Sequence, residues 1–369
     1  MSHALKLADI TAEADRTMTV CNACRYCEGF CPVFPAMAAR RTFDATTLDY
    51  LANLCHNCTA CYHACQYKPP HELDINVPAA FTALRAQSYA KYAWPQSVSR
   101  LFHHNALIVS ATTVFALGAV IACALALLST DTLTTPRTGP GAFYAVISHE
   151  AMVGVAAATF GFGVFAIFMS AVQFCRANAL NSAVLLSSDN WLSALKAAAS
   201  LEHLGGGHGE GCNTDSDAFS NARRIFHQFT MWGFLLCFAA TCAGTFYEYV
   251  LGRLSPFPLL SFPVVLGTLG GVGLVVGPVG LLALKRRSDA IAMPRHSSGM
   301  DYAFLILLLL ISLTGLALLA LRESAAMPWL LVIHLGFVLA FFLTLPYSKF
   351  VHGVYRLLAL VRYAQEQSP

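Results

Sequence analysis

The chain has 369 residues, a length that admits two or three domains. Hydrophobic residues make up 56% and charged residues 12%, where a soluble domain carries about 25% charged, so most of the chain is built for lipid. A formal net charge of +3 lends nothing to a nucleic-acid partner, and none is expected.

Residues 1–100 are mixed in polarity and read as a ferredoxin-like domain of their own. The first apolar stretch long enough to insert begins near Asn105, behind a charged segment holding Asp9, Glu13, Asp15 and Arg16, so no cleavable export signal is read. The domain is therefore expected in a reducing, cytoplasmic setting, where clustered cysteines bind metal rather than pair as disulfides.

Eight of the 13 cysteines form two copies of one spacing. The first is Cys21-x2-Cys24-x2-Cys27-x3-Cys31, followed at once by Pro32. The second is Cys55-x2-Cys58-x2-Cys61-x3-Cys65, with prolines only at Pro69 and Pro70. Three thiolates spaced by two residues wrap one face of a cubane, and the fourth, three residues on, is already leaving for the neighbouring cluster. Two [4Fe–4S] clusters are expected: one on Cys21, Cys24, Cys27 and Cys65, the other on Cys55, Cys58, Cys61 and Cys31. Structural zinc also uses Cys-x2-Cys pairs, but it does not call for two interlocked sets of this kind. Arg25, His56, His63 and Lys68 lie beside the cysteines and either favour the reduced, more negative cluster or simply solvate the surface.

Between the motifs, Leu48, Leu51 and Ala52 follow helical spacing behind Asp44, a candidate N-cap. A helix there points away from the compact β-rich bacterial ferredoxin. It suggests the α-helical ferredoxin type of succinate dehydrogenase-like and heterodisulfide reductase-like proteins.

Residues 101–369 carry six apolar runs, at about 105–128, 147–174, 228–250, 260–284, 302–321 and 328–350, each near the ~20 residues a bilayer requires. The fold class is thus mainly α, a ferredoxin domain followed by a six-helix transmembrane, cytochrome b-like bundle. In the fourth run Gly267, Gly271, Gly273 and Gly277 give overlapping small-xxx-small repeats that allow close helix packing in lipid. The connection at 178–221 is glycine-rich at its centre and reads as a mobile solvated loop; a metal site on His203, His208, Glu210 and Cys212 is the alternative.

Basic residues set the topology. Arg176, Lys196, Arg223, Arg224, Lys285, Arg286, Arg287, Arg295, Arg356 and Arg362 all fall on one side, and only Arg137, Arg253 and Arg322 on the other. By the positive-inside rule the basic side, with the N-terminal domain, is cytoplasmic, which makes this a multi-pass protein of the inner membrane.

Ionisable residues at membrane depth are costly and mark function. His149, His227, His334 and His352 lie within or at the ends of the apolar runs. His334 and His352 are 18 residues apart, five turns of an unbroken helix or about 27 Å, and so would share one face with one residue near each membrane surface. One or two b-type haems are expected, an outer one between His149 and His334 and an inner one between His227 and His352. Snorkelling at helix ends is the plainer reading of the same histidines. No Cys-x2-Cys-His occurs, so covalent c-type haem is not expected.

The cysteine blocks at 21–31 (CNACRYCEGFC) and 53–66 (NLCHNCTACYHACQ), the latter followed by Pro69, Pro70, His71 and Glu72, resemble the tricarballylate-utilisation protein B family, also called citrate-utilisation protein B. The stretch 224–238 (RIFHQFTMWGFLLCF) is similar to the same family, and the resemblance spans nearly the whole chain. It implies that a separate flavoprotein dehydrogenase oxidises tricarballylate to cis-aconitate. This chain would then reoxidise the flavin through iron–sulfur clusters and haem and pass electrons to quinone. The eight cysteines carry over directly. The residues alone agree: no flavin or nicotinamide fingerprint and no general-base constellation is present, so the organic chemistry belongs to a partner. Service to a different dehydrogenase, or an iron–sulfur redox sensor at the membrane, are the alternatives.

Overall fold

The computed structural model describes residues 7–206, 209–293 and 299–367. Arg295 and His208 lie outside them. Five helices build the N-terminal part: α1 (Leu7–Cys24), α2 (Val33–Ala38), α3 (Ala45–Leu54), α4 (Ala60–His63) and α5 (Val77–Tyr92). The helix expected between the motifs is α3. Asp44 caps it as anticipated, its side chain accepting from the backbone N–H of Thr47 at 2.8 Å.

Among the described residues, six helices are long and apolar enough to cross a membrane. In chain order, residues beyond 104 form α6 (Asn105–Leu127), the short α7 (Thr130–Thr134), α8 (His149–Ala177), α9 (Ser182–Leu186), α10 (Ser188–Ser200), α11 (Ala222–Tyr249), α12 (Phe262–Arg287), α13 (Gly299–Ala320), α14 (Met327–Thr344) and α15 (Val351–Gln367).

Helices α11 and α12 form a tight hairpin. A Cβ added at Gly270 would lie 2.7 Å from the backbone nitrogen of Cys237, and one at Gly277 would lie 2.6 Å from that of Thr230, so these glycines let the backbones meet. Of the expected set, Gly273 and Gly277 lie in the close contact, joined by Gly270: Gly270 and Gly273 face Gly233, and Gly277 faces Thr230 and Phe226. Gly271 turns the other way, onto Leu316 of α13.

The sixth span departs from expectation. After Thr344 the α-helix stops at Leu345–Tyr347, where Pro346 lacks an N–H, and resumes only at Val351. The five-turn register between His334 and His352 assumed an unbroken helix and does not hold. Beyond the break α15 leaves the bundle and enters the core of the N-terminal domain. Tyr355, Ala359, Leu360 and Val361 are buried there together with Met18, Phe34, Leu51, Leu54 and Phe81. The rings of Tyr89 and Tyr355 stack at 5.6 Å. At its far end Glu366 pairs with Arg40 and accepts from the Tyr50 hydroxyl at 3.1 Å.

The 178–221 connection is not a solvated loop. It forms α9 and α10 and then a small antiparallel hairpin of β1 (Cys212–Asn213) and β2 (Phe219–Ser220). Leu201, Leu204 and Cys212 are buried against Cys58 and Ala60, which lays this segment over the second cysteine motif.

Candidate metal centres

The two motifs are built by local backbone geometry. Cys21 and Cys24 sit three residues apart on one face of the last turn of α1. Arg25, directly after Cys24, adopts a left-handed backbone, with φ of 55°. Thr59, directly after Cys58, does the same at 60°. In each motif this reversal swings the chain back so that the third cysteine approaches the first two. For a β-branched residue such as Thr59 it is a strained choice.

The eight cysteines line two neighbouring cavities. The larger, of about 240 Å³, is lined by Cys21, Cys24, Cys27 and Cys65, with Val20, Tyr26 and Phe34 among its apolar walls. The second, of about 10 Å³, is lined by Cys31, Cys55, Cys58 and Cys61. Cys61 also reaches the first cavity and stands between the two. The fourth cysteine of each motif thus lies with the first three of the other, the crossed arrangement that the spacing predicts. Among the described residues no three His, Cys, Asp or Glu side chains converge on a point that one metal ion could fill. A cubane does not need such convergence, because each of its ligand sulfurs binds a different iron.

Electrostatics fit the same donor set. Burial pushes the thiols of Cys21 and Cys27 up to about 12, with the neighbouring sulfurs adding to the shift. Burial likewise pushes Cys31 and Cys61 well above the ordinary thiol range. A thiol in such a place holds its proton until a metal displaces it, and coordination deprotonates it outright.

Positive charge gathers around the second set. The buried guanidinium of Arg85 donates to the carbonyl oxygen of Cys55, and Arg356 donates to that same oxygen at 2.7 Å. Arg223 donates to the carbonyl oxygen of Asn57. His56 is buried beside them, its Nδ1 2.9 Å from the carbonyl oxygen of Leu54 and its ring 5.3 Å from that of His203. Burial first, and Arg356 and His203 next, hold His56 well below the ordinary histidine range.

The four membrane histidines separate into two groups. His227 of α11 and His352 of α15 come together as expected, with ring centroids 6.2 Å apart and planes at 74°. The Nδ1 of His352 faces the carbonyl oxygen of Lys349, which fixes the proton there and leaves Nε2 with a free lone pair. Nδ1 of His227 is buried and has no hydrogen-bond partner outside its own residue among those described. Such a spacing accommodates one metal ion between two imidazoles at metal–nitrogen distances of about 2 Å. Beside this pair, Phe234 of α11 packs against Phe341 of α14 and Phe350, with ring centroids 5.8 and 5.4 Å away.

The outer pair is not assembled. Nε2 of His149 faces Glu248 at 3.6 Å, and its ring lies 5.1 Å from that of Tyr144. Tyr144 in turn donates to Glu248 at 2.7 Å. His334 instead meets α13, with Nδ1 3.1 Å from the Thr314 hydroxyl and its ring against Gly315. No hydrogen bond, ion pair or ring contact joins His149 to His334 among the described residues; each packs against a different neighbour. Sequence reasoning gave no place to Arg85, Arg356 and Arg223 as supports of the second motif. The only signal was that Arg223 and Arg356 stand one helical turn from His227 and His352.

Comparison with known proteins agrees with this architecture. The family model described as Citrate utilization protein B matches residues 102–369, and that of the Citrate utilization protein B Fer4-like domain matches residues 14–91. Citrate utilization protein B of Escherichia coli is 45% identical over 361 residues, which cover 98% of this chain and 94% of that protein. No solved structure matches. A ferredoxin-type cysteine domain joined to six apolar helices makes this a membrane iron–sulfur protein of electron-transfer type. The chain belongs to the Citrate utilization protein B family.

Proposed function

We propose that this chain is the membrane partner of a flavoprotein dehydrogenase, carrying its electrons through two [4Fe–4S] clusters and b-type haem to quinone. Cys21, Cys24, Cys27 and Cys65 hold one cluster, and Cys55, Cys58, Cys61 and Cys31 the other. His227 and His352 hold a haem at the bundle end nearest the second set. When bound, these groups supply one-electron storage and transfer.

The observation that carries this reading is the continuity between the second cysteine set and the histidine pair. One turn beyond His352 on α15, Arg356 donates to the carbonyl of Cys55. One turn before His227 on α11, Arg223 donates to the carbonyl of Asn57. The two helices that present the imidazoles therefore also hold the second motif, alongside Arg85 of α5. His334, with Nδ1 beside the Thr314 hydroxyl, is the remaining candidate for a second haem, whose other ligand is then not His149.

The exposed Tyr26, beside the larger cavity, puts the first set near solvent, where a soluble donor can approach. Arg176, Arg223, Arg224 and Lys285 lie at the bundle end that carries the cysteine domain, which favours a cytoplasmic face in the inner membrane. The name of the Escherichia coli relative ties that protein to citrate utilization. A tricarboxylic acid is accordingly the substrate class we assign to the flavoprotein, with tricarballylate as first candidate.

The test is reconstitution of the purified full chain with that flavoprotein and a quinone analogue. Donor substrate is expected to reduce a b-type α-band, and quinone to reoxidise it. A membrane protein that carries clusters but shows no such band would remove the haem from the proposal. Turnover that survived loss of the cluster cysteines would overturn it altogether.

A further inference from the structure

Outside the eight motif cysteines, the structure brings a ninth against the second set. Cys212 is fully buried in one cluster with Cys58 and Ala60, and its thiol donates to the carbonyl of Leu204 at 3.3 Å. Its position is fixed on both sides. The backbone N–H of Asn213 donates to the carbonyl of Cys58 at 3.2 Å, and the hydroxyl of Thr59 donates to the carbonyl of Asn213 at 2.7 Å. Leu201, Leu204 and Ala60 close the surroundings, and His203 covers His56 next door. A segment that merely linked two spans would need none of this. Instead it packs on Cys58 and Ala60 behind the second cavity and buries one sulfur beside a cavity-lining cysteine.

We propose that Cys212 is a positioning residue for the second cluster: its S–H donates to Sγ of Cys58 and raises that cluster's reduction potential. The inference rests on the second cysteine set holding a cluster, as read above. A ligating Cys58 is a thiolate, and a hydrogen bond to a ligand sulfur favours the reduced, more negative state. The carbonyl of Leu204, 3.3 Å from the Cys212 sulfur, competes for the same proton. A charged sulfur is the stronger acceptor, because charge-assisted hydrogen bonds exceed neutral ones. Cys212 remains a thiol throughout, and no bond to iron is formed.

The experiment is a redox titration of the full-length protein in detergent, followed by electron paramagnetic resonance of the reduced clusters, for wild type, Cys212→Ala and Cys212→Ser. Cys212→Ala is expected to make reduction of one cluster about tenfold less favourable, about 59 mV for one electron, and to leave the other cluster unmoved. Cys212→Ser, which keeps a donor, is expected to recover most of that shift. Two clusters with unmoved potentials in Cys212→Ala would overturn the inference alone. Equal shifts in both variants would also overturn it, since packing rather than the donated proton would then be responsible. A wild-type protein lacking two reducible cubane signals would instead overturn the cluster reading on which the inference depends.

Discussion

The guanidinium of Arg356 donates to the carbonyl oxygen of Cys55 across 301 positions of sequence, at 2.7 Å. The last helix of the chain thereby secures the first cysteine of the second motif. Replacing Arg356 by Gln leaves that carbonyl to Arg85 alone. A hydrogen bond from a charged group is worth about 2 kcal/mol, and the expected result is a lower thermal midpoint together with partial loss of iron from the second set. Iron content per chain, measured before and after mild heating, checks this.

The crossed cavities make a prediction about the fourth cysteines. Cys65→Ser is expected to remove the signal of the cluster on Cys21, Cys24 and Cys27, and Cys31→Ser that of the cluster beside His56. Each variant should retain roughly half the iron, as expected for two separate cubane sites. Loss of the neighbouring cluster in the opposite sense would mean that each motif is self-contained.

Membrane histidines should divide as their neighbours do. His352→Ala or His227→Ala is expected to abolish the b-type α-band assigned to that pair. His149→Ala should leave it intact, because His149 is engaged with Glu248. Reduced-minus-oxidised difference spectra of the purified variants give the answer directly.

Asp44 offers a check on the small domain. Its carboxyl is held below the ordinary range by hydrogen bonds from Thr47. A depressed carboxylate contributes stability that is fully present above its unfolded value and is lost as pH falls through the lower folded value. The cap should therefore persist through pH 5 and fail only below the usual carboxylate range. Asp44→Ala is expected to cost about 1 kcal/mol at neutral pH and Asp44→Asn much less, by thermal unfolding of the cluster-loaded protein.

The α11–α12 hairpin tolerates no bulk. At Gly277 an added Cβ lies within 2.6 Å of the Thr230 backbone, so Gly277→Leu must part the helices. Overpacking of this kind costs about 1–3 kcal/mol or more. A fall in detergent-solubilised thermal midpoint larger than that of Gly118→Leu, where the added atom meets open space, is the expected result.

What the sequence disclosed was local. The x2-x2-x3 spacing, the Asp44 cap and the six apolar runs all depend on residues within a few turns of one another, and the structure contains each of the helices they imply. The pairing of His227 with His352 was also legible, because topology alone puts both at the same end. What stayed hidden was long-range. Whether Cys212 would hang in water or pack on Cys58 depends on where α10 ends. Whether His352 continued the helix of His334 depended on one proline, Pro346, whose effect was outweighed in reading by the unbroken apolar character around it. The arginine supports were invisible because a guanidinium that seeks a distant carbonyl leaves no periodic trace.

Helix α15 follows the sixth apolar run in sequence, yet Tyr355, Ala359 and Val361 complete the core that Met18, Phe34 and Leu51 begin. The cysteine domain and the membrane bundle are therefore not independent folding units, because one continuous apolar core is shared between them through a single helix. A substitution that loosens α15 is felt at the cysteine motifs and at the end of the bundle together.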